Sequence, residues 1–167
     1  LELGIVPPLD FIPLAERTGL ISQIGNWVIG QACRHILEWD RAGLPPVRIA
    51  VNLSPQQLQQ PGYIRTVNDI VGQHGVEPHR LMFEITETVA MEVAEQTTAN
   101  IREFQAAGFD IAIDDFGTGY SSLAYLQRFR AKQLKIDRFF TRGLDEHGDE
   151  GYAIVSAIIG LAHTLRM

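Results

Sequence analysis

Polar side chains that suit metal-assisted chemistry occur at or just after the carboxyl ends of the strand-like runs in this sequence. They are Asn52, Glu84, Asp114, Asp115 and Lys135. Parallel strands bring their carboxyl ends to one rim, so we expect these groups to converge. Carboxylate and amide oxygens without a neighbouring histidine or cysteine favour Mg²⁺ or Mn²⁺ over structural zinc. If the chain turns at the paired aspartates, they can face two cations about 3.5–4 Å apart, an arrangement that cleaves phosphodiesters.

Each of these residues also has a simpler structural interpretation. The aspartate pair could cap a turn, and Glu84 could be a strand-end charge that faces water. Lys135 lies between two aliphatic residues, so we expect it to face inward, partly desolvated, where it can orient or activate water. Its alternative is a salt bridge to Asp137 or to one of the acids. Acids packed together repel one another, and either a metal or Lys135 would relieve that repulsion.

A glycine-rich loop over residues 115–123 begins at the second aspartate of the pair and leads into a predicted short helix over residues 122–129. After Asp115, the loop contains Phe116, Gly117, Thr118, Gly119, Tyr120 and Ser121. Such a loop can act as a lid or as a backbone nest that faces a phosphate. It does not match a nucleoside-triphosphate P-loop, because no Gly-Lys-Ser/Thr follows at the required spacing.

The elements that must position these groups alternate between helical and strand-like patterns, which is typical of a parallel α/β sheet or barrel. Helices are predicted over residues 11–42, with interruptions near Gly19 and Gly25, and over 56–74, 93–107 and 152–165. Strands are predicted over residues 48–54, 81–86, 109–115 and 133–137.

One face of each predicted strand is wholly apolar, and the other face is small or polar. The face that carries Val51, Phe83 and Ile113 is apolar, whereas the alternate positions include Asn52 and Glu84. A sheet covered by helices on both sides would need two apolar faces. A barrel needs only one, because polar groups can line its interior near the mouth. We therefore expect a partial TIM-type (β/α)8 barrel with four clear parallel strands, since a complete barrel takes about 250 residues.

Composition excludes several classes of protein. With 46% hydrophobic and 20% charged residues, the chain is expected to be globular. A net charge of −6 argues against binding to a DNA or RNA polymer. The apolar run 153–162 is far shorter than the roughly 20 residues of a membrane span, so it predicts a buried helix without membrane contact. The single cysteine, Cys33, is expected to be buried, and it fits a cytoplasmic location whether or not the parent protein is tethered to a membrane.

Several motifs resemble, in order and spacing, the EAL domain family of cyclic di-GMP phosphodiesterases. They are FIPLAE (11–16) with GLI (19–21), VNLS (51–54), FEITE (83–87), DDFGTGYSSL (114–123) and LKID (134–137). The resemblance implies that Asn52, Glu84 and Asp114 ligate one divalent ion, and that Asp114 and Asp115 face a second. It further implies that Lys135 positions or deprotonates the attacking water. The implied reaction converts cyclic di-GMP into linear pGpG.

The resemblance also implies supporting residues and partners. Glu87 is expected to hold the glycine-rich loop in place, and Asp137 is expected to support the site. Besides cyclic di-GMP, the implied partners are a second copy of the domain, contacted through the region after the loop, and a diguanylate cyclase or sensor domain in the parent protein.

The sequence lacks the two ends of the family pattern. The family's Glu-Ala-Leu signature, whose glutamate is a metal ligand, and its later Val-Ala-Glu-Gly-Val-Glu strand do not occur within residues 1–167. We therefore expect an incomplete EAL-type domain over 1–167 that is inactive, or nearly so, on its own. The alternative is a catalytically degenerate module that binds cyclic di-GMP. An unrelated barrel enzyme, such as an enolase-type lyase, would need a basic pair that the sequence does not show.

Overall fold

The computed structural model describes residues 4–91, 95–117, 126, 129–142 and 148–167, and at residues 95 and 148–150 it describes the backbone alone. The helices are α1 (Pro8–Thr18), α2 (Ile21–Arg41), α3 (Pro55–Gln59), α4 (Tyr63–His74), α5 (Glu87–Met91), α6 (Glu95–Ala106), α7 (Arg138–Arg142) and α8 (Gly148–Thr164). The strands are β1 (Ile49–Asn52), β2 (Leu81–Thr86), β3 (Asp110–Phe116) and β4 (Gln133–Ile136).

The strands form one parallel sheet in chain order, β1-β2-β3-β4. Asn52 lies opposite Glu84 between β1 and β2, and Thr86 lies opposite Asp114 between β2 and β3. A parallel connection needs a long crossover, and helices supply it between β1 and β2 and between β2 and β3. The prediction of an α/β fold with four parallel strands is confirmed.

The helix-facing side of the sheet forms the core, as the strand alternation predicts. Phe83, Ile85 and Ile113 are at most 1% exposed. The Phe83 ring meets Phe104 of α6 edge-on, with ring centroids 5.0 Å apart. Burial of each such side chain contributes about 1.5–3 kcal/mol to folding, so this face fixes the positions of the strands.

The opposite side of the sheet carries the small and polar residues. Met82 and Ala112 are buried there, and Glu84 is 8% exposed. At the amino ends of the strands, Arg48 pairs with Asp110 across 3.1 Å. This ion pair lies at the end of the sheet opposite to the candidate functional residues.

The first predicted helix has one interruption instead of two. The chain leaves α1 at Gly19, which has a left-handed φ of 75°, and α2 then continues unbroken past Gly25. The interruption predicted near Gly25 is wrong. That glycine is buried inside α2, where a Cβ would overlap Gln57 Nε2. Close packing and not a change of chain direction accounts for the glycine at position 25.

Other predicted helices also divide or shift. The helix predicted over 56–74 is α3 and α4, separated at Gly62, whose φ is 74°. The region predicted to begin a helix at residue 93 is preceded by the short helix α5, and residues 92–94 lie outside the described part of the chain. Only residues 126 and 129 of the predicted helix 122–129 are described.

The apolar run 153–162 is helical but not buried, contrary to the prediction. It belongs to α8, which packs against α7 and β4. Ile158 is 8% exposed, whereas Ile154 is 46% exposed and Ile159 is 44% exposed. The described chain therefore covers one side of this helix only. Across the described residues, we find no helix with the length and apolarity required to traverse a bilayer.

Candidate active site at the carboxyl end of the sheet

Asn52, Glu84 and Asp114 lie on adjacent strands at the carboxyl end of the sheet. Asn52 and Glu84 are paired residues of β1 and β2, and the ladder continues one step further, where Leu53 N donates to Glu84 O at 2.9 Å. The Asn52 side chain is exposed, whereas Glu84 is 8% exposed. Parallel pairing thus gathers the predicted ligands at one rim, because their strands end together.

Lys135 joins the acids of this rim into one cluster. Its ammonium donates to Glu84 Oε2 at 2.8 Å and to Asp114 Oδ2 at 2.7 Å. Burial alone would lower the pKa of Lys135, but its hydrogen bonds to Asp114 and Glu84 and their charges outweigh that effect and raise the pKa. The lysine is therefore protonated at neutral pH. Of the two interpretations of Lys135, the structure contains the salt bridge to the acids.

The chain turns at the aspartate pair, which is the condition under which the two side chains could face two different cations. The register between β3 and β4 shifts after Ile113, which marks an irregularity in the strand. Asp115 adopts a left-handed φ of 56°, and its backbone N–H donates to Asp114 Oδ1 at 3.0 Å. A positive φ is unusual for a residue other than glycine and is frequent at functional sites.

The Asp115 side chain interacts with Asp137 and not with the lysine cluster alone. Burial, the charges of Asp114 and Asp137, and a hydrogen bond with Asp137 raise the pKa of Asp115, and Lys135 opposes this only in part. Asp137 Oδ1 also accepts a 2.6 Å hydrogen bond from Phe139 N at the start of α7. Asp137 therefore connects the second aspartate to the short helix after β4.

The start of the glycine-rich loop is held from two sides. Gly117 N donates to Glu87 Oε2 at 2.8 Å, and Glu87 is 1% exposed. On the other side, a Cβ at Gly117 would lie 2.5 Å from Phe140 Cε2, and its φ of 101° also favours glycine. A contact between Glu87 and the loop is what the resemblance implies.

Of the predicted loop over residues 115–123, the structure describes residues 115–117. Phe116, expected in the loop, is instead the last residue of β3 and is 4% exposed. It extends the strand because Asp137 N donates to Phe116 O at 3.4 Å. Thr118, Gly119, Tyr120 and Ser121 lie outside the described residues.

The oxygen atoms at this rim suit a hard divalent cation. Glu84 Oε2 and Asp114 Oδ2 already converge on one positive group, the ammonium of Lys135. Within the described ranges, no group of three or more His, Cys, Asp or Glu side chains is arranged to hold a metal. The donors therefore fit Mg²⁺ or Mn²⁺ in kind, and an ion there requires further ligands from water or other protein groups.

The sequence interpretation missed a buried glutamine next to this rim. Gln57 and Ser54 form a capping box at the start of α3, directly after β1. The signal was readable, because Ser-Pro-Gln-Gln matches the Ser-x-x-Gln pattern of such boxes. No comparable sequence pattern predicts the packing of Phe140 on Gly117.

Comparisons with known proteins agree with this geometry. The sequence profile described as "EAL domain" matches residues 2–167. The chain is 46% identical over 164 residues to the bifunctional diguanylate cyclase/cyclic di-GMP phosphodiesterase MucR of Pseudomonas aeruginosa, covering 98% of this chain and 24% of that protein. It is 43% identical to an uncharacterized signaling protein of Caulobacter vibrioides, covering 98% of this chain and 20% of that protein. The chain thus spans a quarter or less of these relatives.

A solved structure gives the same relationship in three dimensions. The PaMucR phosphodiesterase in complex with c-di-GMP superposes with a TM-score of 0.91 at 45% identity, covering 99% of this chain and 66% of that chain. The superposition confirms the prediction of a partial TIM-type barrel. The profile match over nearly the whole chain shows that this protein belongs to the EAL domain family.

Proposed function

We propose that the protein containing this chain hydrolyses one phosphodiester bond of cyclic di-GMP, giving linear pGpG, with the help of Mg²⁺ or Mn²⁺. The observation that carries the proposal is the cluster at the rim in which the Lys135 ammonium lies 2.8 Å from Glu84 Oε2 and 2.7 Å from Asp114 Oδ2. The names of the relatives support the substrate, since MucR is a cyclic di-GMP phosphodiesterase.

The proposed division of roles follows the resemblance to the EAL domain family. Asn52, Glu84 and Asp114 would hold one ion, and Asp114 and Asp115 would face a second. When bound, such ions polarise a phosphoryl oxygen and make a water molecule more acidic. Lys135, whose ammonium donates to Glu84 and Asp114 at the rim, would position or deprotonate that water.

Supporting residues would fix the rim in this proposal. Glu87 would hold Gly117 and hence the entry to the glycine-rich loop, and Asp137 would steady Asp115 and the first turn of α7. Neither residue needs to touch a metal for this purpose. Both act through the backbone or side chain of a neighbour.

The wider context is also a proposal. We expect a cytoplasmic location, self-association through the region after the loop, and a diguanylate cyclase or sensor domain elsewhere in the protein. The last expectation is supported by the bifunctional name of MucR. We further propose that residues 1–167 alone show little or no hydrolysis, because the family's Glu-Ala-Leu signature, whose glutamate is a metal ligand, does not occur among them.

The second candidate is a module that binds cyclic di-GMP without cleaving it. Binding, which both candidates share, is supported by the FimX EAL domain from Pseudomonas aeruginosa bound to c-di-GMP, which matches with a TM-score of 0.84 at 25% identity. Binding and turnover must therefore be measured separately.

The test uses the full-length protein, with titration calorimetry for cyclic di-GMP binding and chromatography of pGpG for turnover. We expect metal-dependent turnover that Glu84→Gln lowers at least about 100-fold, since even outer partners of a metal ligand are worth 10- to 100-fold. The matched control is Glu103→Gln, an exposed glutamate of α6, which should leave turnover unchanged. Binding without turnover would favour the second candidate, and absence of both would reject the EAL-type function for this protein.

A further inference from the structure

Gln57 is a buried amide at the junction of three helices. It is 2% exposed. Its Oε1 accepts from Ser54 N at 3.0 Å, and its Nε2 donates to Tyr63 OH at 2.5 Å. Gln57 N in turn donates to Ser54 Oγ at 3.3 Å. One side chain therefore ties the start of α3 to the start of α4, and burial makes these bonds costly to lose.

The neighbouring helix α2 has a glycine, Gly25, where it packs against this amide. A Cβ at Gly25 of α2 would overlap Gln57 Nε2 and would lie 2.9 Å from Tyr63 OH. A glycine within a helix costs about 1 kcal/mol relative to alanine. The close approach of Gln57 gives a physical reason for a glycine there, because only a residue without a side chain leaves space for the amide.

Gln57 acts on the segment that directly follows Asn52. The two backbone N–H groups after Asn52 are both held, since Leu53 N donates to Glu84 O at 2.9 Å and Ser54 N donates to Gln57 Oε1. The Asn52 amide is exposed and makes no hydrogen bond to any residue that the structure describes. The position of its Cα–Cβ bond therefore depends on the backbone, which the Ser54–Gln57 box helps to hold.

A second buried amide holds α3 from the side of α6. Asn100 is 9% exposed, and its Nδ2 donates to Leu58 O at 2.5 Å. A five-residue helix cannot satisfy its last carbonyls internally, so this bond anchors its end. Both ends of α3 are thus fixed by buried amides.

We infer that Gln57 is a positioning residue for the Asn52 amide, orienting it toward the divalent ion through Ser54 and the end of β1. The inference rests on the proposed function, because it assumes that Asn52 is a metal ligand. Gln57 lies on the helix that follows β1 and reaches the rim only through the backbone. Its loss should therefore weaken metal binding without removing a ligand atom.

The test measures Mn²⁺ binding directly by electron paramagnetic resonance on the full-length protein, without substrate. Gln57→Met keeps the length of the side chain and removes its hydrogen bonds. We expect the dissociation constant for Mn²⁺ to rise about 10- to 100-fold, the range for outer partners of a metal ligand. The matched control is Gln56→Met, because Gln56 is the exposed neighbour. Tyr63→Phe, a milder change, should shift the constant in the same direction but less.

A purely structural role predicts a different result. Unfolding of a fraction of the protein would lower the number of Mn²⁺ sites and leave their dissociation constant unchanged. Hydrogen exchange in metal-free protein provides a second readout, and the Ser54 amide should exchange faster in Gln57→Met than in Gln56→Met. An unchanged dissociation constant in Gln57→Met, or an equal shift in Gln56→Met, overturns the positioning role alone. If the wild-type protein binds no Mn²⁺, the proposed function and the inference both fail.

Discussion

Replacement of Lys135 by methionine tests the cluster at its centre. The substitution keeps the aliphatic stem and leaves Glu84 Oε2 and Asp114 Oδ2 facing each other without the ammonium that now lies 2.8 Å and 2.7 Å from them. Breaking a fully buried ion pair costs about 3–5 kcal/mol. The Lys135 side chain is 36% exposed, so solvent screening reduces the expected loss to about 2 kcal/mol, roughly a 30-fold change in the folding equilibrium.

Urea unfolding in the presence of a chelator measures this loss. The matched control is Lys132→Met, which removes the same charge at an exposed position outside the cluster and should change stability by less than about 0.5 kcal/mol. Under the proposed function, added Mn²⁺ should stabilise Lys135→Met more than the wild type, because no ammonium competes for the two oxygens.

The contribution of Lys135 to folding stability should also depend on pH. The raised pKa of Lys135 means that its contribution in the wild type is complete at neutral pH and is lost only as the pH rises above the usual range for lysine. Equal stability of Lys135→Met and Lys132→Met in chelator at pH 7 would refute this account of the rim.

Two further predictions concern other parts of the chain. Burial raises the pKa of the Cys33 thiol to about 11, and the residue is 0% exposed. Maleimide should therefore label Cys33 at pH 8 only after urea is added. Rapid labelling of the native protein would contradict its burial. Gly117→Ala forces a left-handed φ and a clash with Phe140, and we expect about 1–2 kcal/mol of strain and roughly tenfold slower turnover. Phe140→Leu in the same chain should recover part of that turnover, whereas no recovery would exclude the clash as the cause.

Much of the fold follows from short-range patterns. The alternation along Leu81–Thr86 predicts which side chains face the helices, because successive residues of a strand point to opposite sides. The break at Gly19 follows from a residue that tolerates a left-handed backbone. Gly25 is also a glycine, but α2 continues through it without a break. Its role is decided by the close packing of Gln57 against it and not by the local preference of glycine for a turn.

Burial of the last helix was not predictable in the same way. The run 153–162 contains Ser156 as its one polar residue, and such an almost wholly apolar helix is expected to be covered by neighbours on all sides. The described chain covers the side with Ile158 and leaves Ile154 exposed. The hydrophobicity of a helix predicts that it favours apolar contacts. Whether it makes them depends on which neighbouring helices and strands pack against it.

The sequence by itself determined the four strands, the face of each that is polar, and the family to which the motifs belong, since all three depend on the order and spacing of residues. Only the tertiary structure decided that Lys135 bridges Glu84 and Asp114, and that the Gln57 amide meets Tyr63 OH beside Gly25 of α2. These contacts join residues that are 51 and 21 positions apart, or depend on a glycine in another helix. Strand register and helix packing set such distances, and no local pattern encodes them.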